Sequence, residues 1–183
     1  MKTQSTALYV LRLAVTLLLI TGVMAALLAG INVITKPIIE KLQAEKTQQA
    51  IEAVLPGGGE EVEFDASANP NVAAVYASDT GYAVKVTPSG FDGTITMMVG
   101  IDKEGNVLGI SIISHTETAG LGAVAAAKNS KGEAFRNSFV GLSGTVLTEK
   151  DGGEADTITG ATITSRAVAK GVTDALTCVA GLS

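Results

Sequence analysis

Hydrophobic and polar positions follow three successive rules along this chain. From Leu13 to Thr35, the run LAVTLLLITGVMAALLAGINVIT carries no charged side chain. Wound as a helix it spans roughly 35 Å, enough for the hydrocarbon core of a bilayer, so it predicts a transmembrane helix over 13–35. A cleaved signal peptide is the rival reading, with Lys2 and Arg12 as its basic region and Val23–Ala25 as a small-residue cleavage site. The run outlasts an ordinary signal h-region of about 7–15 residues, which favours a retained anchor.

Past Thr35 the pattern turns amphipathic. Ile38, Ile39, Leu42, Ile51, Val54 and Leu55 recur at spacings compatible with one helical face. Pro37 suits a first turn and Pro56-Gly57 suits a stop, so a stalk helix over 36–56 is expected, its stripe packed on the domain it leads into. Residues 57–71, rich in Gly, Glu, Ser and Asn, read as a loop with a short strand at Val62–Phe64.

From Tyr82 the period drops to two. YAVKV is followed by the turn signal PSGFDG, then by a strand in which Ile95, Met97, Val99 and Ile101 alternate. KEGN makes the next turn, and Leu108, Ile110 and Ile112 alternate in the strand after it. Helical segments are expected at Ala123–Lys128 and Glu133–Phe139, a short strand at Thr145–Thr148, and a closing helix at Ser165–Leu182. Strands and helices that do not alternate regularly predict an α+β fold with a mainly antiparallel sheet and flanking helices, behind one N-terminal transmembrane helix.

Composition changes the picture by exclusion. With 183 residues, 46% of them hydrophobic, there is room for one domain and a small extra element. A net charge of −5 with no basic block excludes a nucleic-acid partner. Cys178 has no second cysteine to pair with and reads as a small buried hydrophobe, while His115 stands outside any metal-ligand spacing. Lys2 and Arg12 flank one end of the apolar run and Lys36, Lys41 and Lys46 the other, so the positive-inside rule leaves orientation open.

Candidate chemistry concentrates in DTITGATITSRAV, Asp156–Val168, which sets four threonines and a serine at the start of the last helix. Thr164 or Ser165 is the expected N-cap, and the free N–H groups of a helix's first turn suit a phosphate. Gly160 lets the backbone approach a ligand and Ala161 keeps the next position slim, which exposes the Thr162 hydroxyl on a tight turn. A Ser/Thr turn that merely caps the helix is the plainer alternative.

Asp156–Thr162, D-T-I-T-G-A-T, resembles the flavinylation motif Asp-x-x-Ser/Thr-Gly-Ala-Thr of the FMN-binding domain family. Upstream, SHTETAGLG at Ser114–Gly122 is similar to that family's Glu-Thr-Pro-Gly-Leu-Gly element, with Ala119 where proline is common. From anchor to last helix the chain resembles the G subunits of Rnf electron-transport complexes, with the C subunits of the sodium-pumping NADH:quinone reductases as longer relatives. The resemblance implies FMN joined by a phosphoester to Thr162 by a flavin transferase, with Asp156 and Thr159 in the transferase's recognition pattern. It also implies a cofactor site that includes Glu117, Thr118, Gly120, Leu121, Gly122, Gly160, Ala161, Thr164 and Ser165. With no tryptophan in the chain, aliphatic packing on the flavin is expected, and Lys128 reads as a solvated lysine.

The implied role is an electron relay in a membrane ferredoxin:NAD⁺ oxidoreductase that translocates ions, partnered by the other Rnf membrane subunits and by lipid. The implied map is a cytoplasmic tail over 1–12, the membrane helix over 13–35, the stalk over 36–56 and an extracytoplasmic FMN-binding domain over 57–183. A membrane-anchored, pilin-like assembly module without flavin is the competing class.

Overall fold

The computed structural model describes residues 3–182, so Lys2 of the expected tail lies outside the described residues. Helix α1 runs Thr3–Val54 and contains Pro37. The expected break at Pro37 is absent, so 13–35 and 36–54 lie on one helix. A proline forfeits one backbone bond, to the carbonyl four residues back, and the flanking ladder carries the helix across it. Thr16, Thr21 and Thr35 each turn their hydroxyl back on a carbonyl of the preceding turn, at Arg12, Leu17 and Ile31. None of these three hydroxyls then needs water. Among the described residues, α1 is the one helix long and apolar enough to cross a membrane.

The chain divides into two compact units, one ending at Glu45 and one beginning at Lys46. In the first, the large apolar side chains from Leu8 to Leu42 are exposed, Ile38, Ile39 and Leu42 among them. The expected stalk stripe is therefore packed only at its end, where Ala50, Ile51, Val54 and Leu55 are buried in the second unit.

That second unit is built on a five-stranded sheet in the order β1-β2-β3-β4-β5, antiparallel throughout. Its strands are β1 Glu60–Val62, β2 Val72–Ala77, β3 Gly81–Val86, β4 Thr96–Asp102 and β5 Val107–Ser114. Helix α2 covers Ser130–Asn137 and α3 Thr162–Ala180, with short 3-10 turns at Gly122–Ala126 and Glu149–Asp151. Strand β4 is buried on both faces. Met97, Val99 and Ile101 join the main core with Val168, Val172 and Leu176 of α3, whereas Met98 packs with the end of α1. Gly100 makes that second contact possible, since a Cβ there would strike the Val54 carbonyl.

Several expectations shift. Leu108 faces solvent rather than the core, because the pairing skips it: Gly100 pairs with Gly109 and Ile101 with Val107. A bulge of one residue reverses the alternation, and Val107 is buried instead. Strand β2 has no counterpart in the expected set, and β1 lies two residues before the expected Val62–Phe64. Thr145–Thr148 forms no strand, only an isolated bridge from Thr148 to Ala155. Helix α3 starts three residues early, with Ala161 as its N-cap and no side-chain cap, so Thr164 and Ser165 lie inside its first turn.

Candidate functional site

The early start of α3 comes from the turn before it. Gly160 sits in the left-handed region at φ 81°, and the Ala161 N–H donates to the Ile158 carbonyl at 3.0 Å. Ser165, wholly buried, locks that turn from inside: its hydroxyl accepts from the Ile158 N–H and donates to the Ala161 carbonyl. Ser165 thus holds the turn beneath the surface. The first helical bond is Ser165 N–H to Ala161 C=O, so the N–H groups of Thr162, Ile163 and Thr164 have no acceptor among the described residues.

In front of these donors lies a cavity of about 360 Å³. Thr118, Leu121 and Gly122 form one wall, and Gly160, Ala161, Thr162, Ile163 and Thr164 another. Phe91 and Lys150 complete it. Phe91, Leu121 and Ile163 are exposed there, an apolar lining around a polar floor.

Glu117 organises the walls. It is 7% exposed, and its Oε1 accepts from the backbone N–H groups of Phe91 at 2.9 Å and Asp92 at 3.1 Å. Its Oε2 accepts from the Thr164 hydroxyl. One carboxylate therefore ties the β3–β4 hairpin that carries Phe91 to the first turn of α3. Space for it depends on Gly90 and Gly122, where a Cβ would collide with the two carboxylate oxygens. Thr116 ties the same hairpin to the segment after β5, donating to the Asp92 carbonyl at 2.7 Å.

Apart from Ser165, which is buried beneath the turn and lines neither cavity, the sequence-derived residues separate into two groups. Glu117, Thr118, Leu121, Gly122, Gly160, Ala161, Thr162 and Thr164 line the cavity just described. Gly120, Asp156 and Thr159 instead line a neighbouring cavity of about 400 Å³ with Lys131, Glu149 and Thr157. The ridge between them is narrow: Gly120 faces one side and Leu121 the other, Thr159 one side and Gly160 the other.

Residues 90–177 match the model of the FMN-binding domain family. The chain is 35% identical over 172 residues to the G subunit of the ion-translocating oxidoreductase complex of Methanosarcina acetivorans, covering 86% of this chain and 87% of that one. The chain belongs to the G-subunit family of ion-translocating oxidoreductase (Rnf) complexes. The G subunit of the Na⁺-translocating ferredoxin:NAD⁺ oxidoreductase complex of Acetobacterium woodii is 32% identical, covering 89% of this chain and 88% of its own. Its counterpart in the proton-translocating complex of Clostridium ljungdahlii is 39% identical over 110 residues, 55% of this chain and 57% of its own. Both motif resemblances thus fall within one family match, and membership of it displaces the pilin-like alternative.

The residues present suit FMN in a member of this family. Uncapped N–H groups and the Lys150 ammonium offer a phosphate its donors, and Phe91, Leu121 and Ile163 offer a ring its apolar contacts. Sequence reasoning misses three of these, Phe91, Lys150 and Ile163, the last standing between two residues it does name. Phe91 falls within the turn signal PSGFDG. Lys150 stands twelve positions before Thr162 with no periodic relation to it, while Lys128, the lysine weighed from sequence, is exposed.

Lys150 reaches the site because its turn is fastened to α3. Its Nζ donates to Thr162 Oγ1 at 2.9 Å. Beside it Asp151 takes a forked contact from Arg166, Nη2 to Oδ1 at 2.6 Å and Nε to Oδ2 at 2.8 Å. The Arg166 hydrogen bonds, then the Thr148 hydroxyl at 2.7 Å, hold the Asp151 carboxyl at about 2.

Proposed function

We propose that this chain is the electron-relay subunit of a membrane ferredoxin:NAD⁺ oxidoreductase that translocates ions, with FMN joined through its phosphate to Thr162 Oγ1. The observation that carries the attachment is the setting of that hydroxyl: first residue of an uncapped helix, at the rim of an apolar cavity, in the grip of a lysine. When bound, FMN supplies the storage and transfer of electrons.

The chain's own part is placement. The N–H groups of Thr162, Ile163 and Thr164 and the Lys150 ammonium hold the phosphate end. Phe91 and Leu121 shield the ring end from water, and Glu117 keeps the two walls in register. Helix α1 anchors the unit to the membrane, with the domain from Lys46 on the extracytoplasmic side. A covalent tie supports that orientation, because a noncovalent cofactor lost there is lost to the surroundings. Protease added to intact cells is expected to cleave the domain; protection, with cleavage only in inverted vesicles, reverses the orientation.

Function is tested with Thr162→Ala in membranes that retain the other subunits. The variant is expected to assemble at normal level and to lose most ferredoxin-dependent NAD⁺ reduction. Full activity in membranes where this chain holds no flavin would overturn the relay.

A further inference from the structure

Among the described residues, Lys150 is the sole side chain bonded to the Thr162 hydroxyl. An exposed lysine meeting a threonine is ordinarily a loose contact. Here the backbone beneath it is fixed. Thr148 is buried and bonds Asp151, the Glu149 N–H donates to the Ala155 carbonyl at 2.8 Å, and Gly152 closes the turn at φ 83°. Gly153 packs where a Cβ would strike the Leu147 carbonyl. Thr162 and Arg166 are four residues apart on one face of α3, so the adjacent pair Lys150-Asp151 meets them in register.

We propose that Lys150 is a positioning residue for flavin attachment. It holds the Thr162 hydroxyl ready for the phosphorus and then pairs with the phosphodiester that results. The inference rests on Thr162 as the attachment point. Ester formation in water needs an activated donor, which here is a phosphoanhydride of FMN, a flavin dinucleotide. Thr162 Oγ1 forms the new bond to the flavin phosphorus as the anhydride P–O bond breaks. The nucleoside monophosphate leaves with that bond's electron pair, and the hydroxyl proton passes to a base of the transferase.

An ammonium cannot take that proton. By donating to one lone pair of Oγ1, Lys150 leaves the other for the phosphorus and stabilises the negative charge that appears on Oγ1 as the transferase's base draws off its proton. Afterwards the phosphodiester keeps one negative charge, facing Lys150 and the uncapped end of α3. Asp151, through Arg166, keeps the lysine's turn on the helix and so acts at one remove.

The test uses the full chain in detergent micelles with purified transferase and flavin dinucleotide, reading covalent label by in-gel fluorescence and intact mass. Lys150→Gln is expected to slow attachment about a hundredfold, the scale of losing one preorganised donor, without lowering the melting temperature. Lys150→Arg, which keeps the charge, is expected to stay within about tenfold of the natural chain, and Asp151→Asn to fall between the two. In fully loaded protein the ³¹P resonance of the phosphodiester is expected to move in Lys150→Gln, a signature that a merely structural lysine would not give. Wild-type attachment in Lys150→Gln, with Thr162→Ala blank, overturns the role of Lys150 alone. Label on Thr162→Ala overturns the attachment point and this role with it.

Discussion

Two cavities share the segment Asp156–Thr164, and they are built differently. The one before α3 joins an apolar rim of Phe91, Leu121 and Ile163 to a floor of helix N–H groups, Thr162 and Lys150. Its neighbour is edged by Lys131, Glu149, Asp156, Thr157 and Thr159, with Val124 and Phe135 beneath. One turn at Gly160 therefore sends the Thr162 hydroxyl to one side and the acidic end of the motif to the other. On the proposed reading, the difference separates two tasks, holding FMN and being read by the transferase, within seven residues. Holding a cofactor needs a dry, shaped slot with few polar groups, whereas being read by a maturation partner needs accessible polar side chains.

Removing the tie that holds the first cavity together is the harshest way to break this contrast. Glu117→Ala leaves the Phe91 and Asp92 N–H groups and the Thr164 hydroxyl without their acceptor, which is expected to cost about 3 kcal/mol of folding stability. Flavin loading falls with it, as the Phe91 wall detaches from α3. Thermal denaturation and label incorporation check the pair of effects. A melting temperature equal to that of the natural chain would show that Glu117 serves the flavin rather than the walls.

A change on the other side should touch maturation alone. Asp156 is exposed, and it is held by its backbone N–H, which donates to Ser138 Oγ at 3.0 Å and does not depend on the carboxylate. Asp156→Ala is expected to lower the rate of flavin attachment several-fold while the melting temperature stays within about a degree, as for other exposed substitutions. Unchanged labelling at limiting transferase would make Asp156 a turn residue only.

Asp151, beside the first cavity, gives a weaker effect that depends on pH. The Asp151 carboxyl titrates at about 2 in the folded chain, against 3.8 ordinarily, because Arg166 and Thr148 bond its ionised form. A lowered carboxyl contributes stability that is fully present above its ordinary value and lost as pH falls toward the folded one. The difference in melting temperature between the natural chain and Asp151→Asn is therefore expected to shrink between about pH 4 and 2. A constant difference across that window would place the contribution of Asp151 outside its charge.

Much of this architecture is legible in the residues. The uncharged run before Lys36 and the period-two strands from Tyr82 onward announce an apolar helix and an antiparallel sheet, and the order of the motifs announces the cavity walls. What stays hidden depends on contacts between segments distant in sequence. The bulge that turns Leu108 outward is a property of the β4–β5 pairing and leaves no mark on β5 alone. Burial of Met98 requires the end of α1 on the outer face of the sheet, which alternation within β4 does not reveal. Thr164 reads as a cap because a hydroxyl before a helix usually is one, yet Glu117, 47 positions earlier, claims it. Lys150 is invisible for the same reason: the Asp151–Arg166 contact that delivers it forms only in the fold.

On the proposed reading, this chain holds its flavin on the hydroxyl of Thr162. Mass spectrometry of the full chain produced together with its transferase, intact and after digestion, decides this. One FMN less one water on the peptide that contains Thr162, and no addition in Thr162→Ala, is the result expected. An unmodified chain, or flavin carried on any other residue, would contradict it.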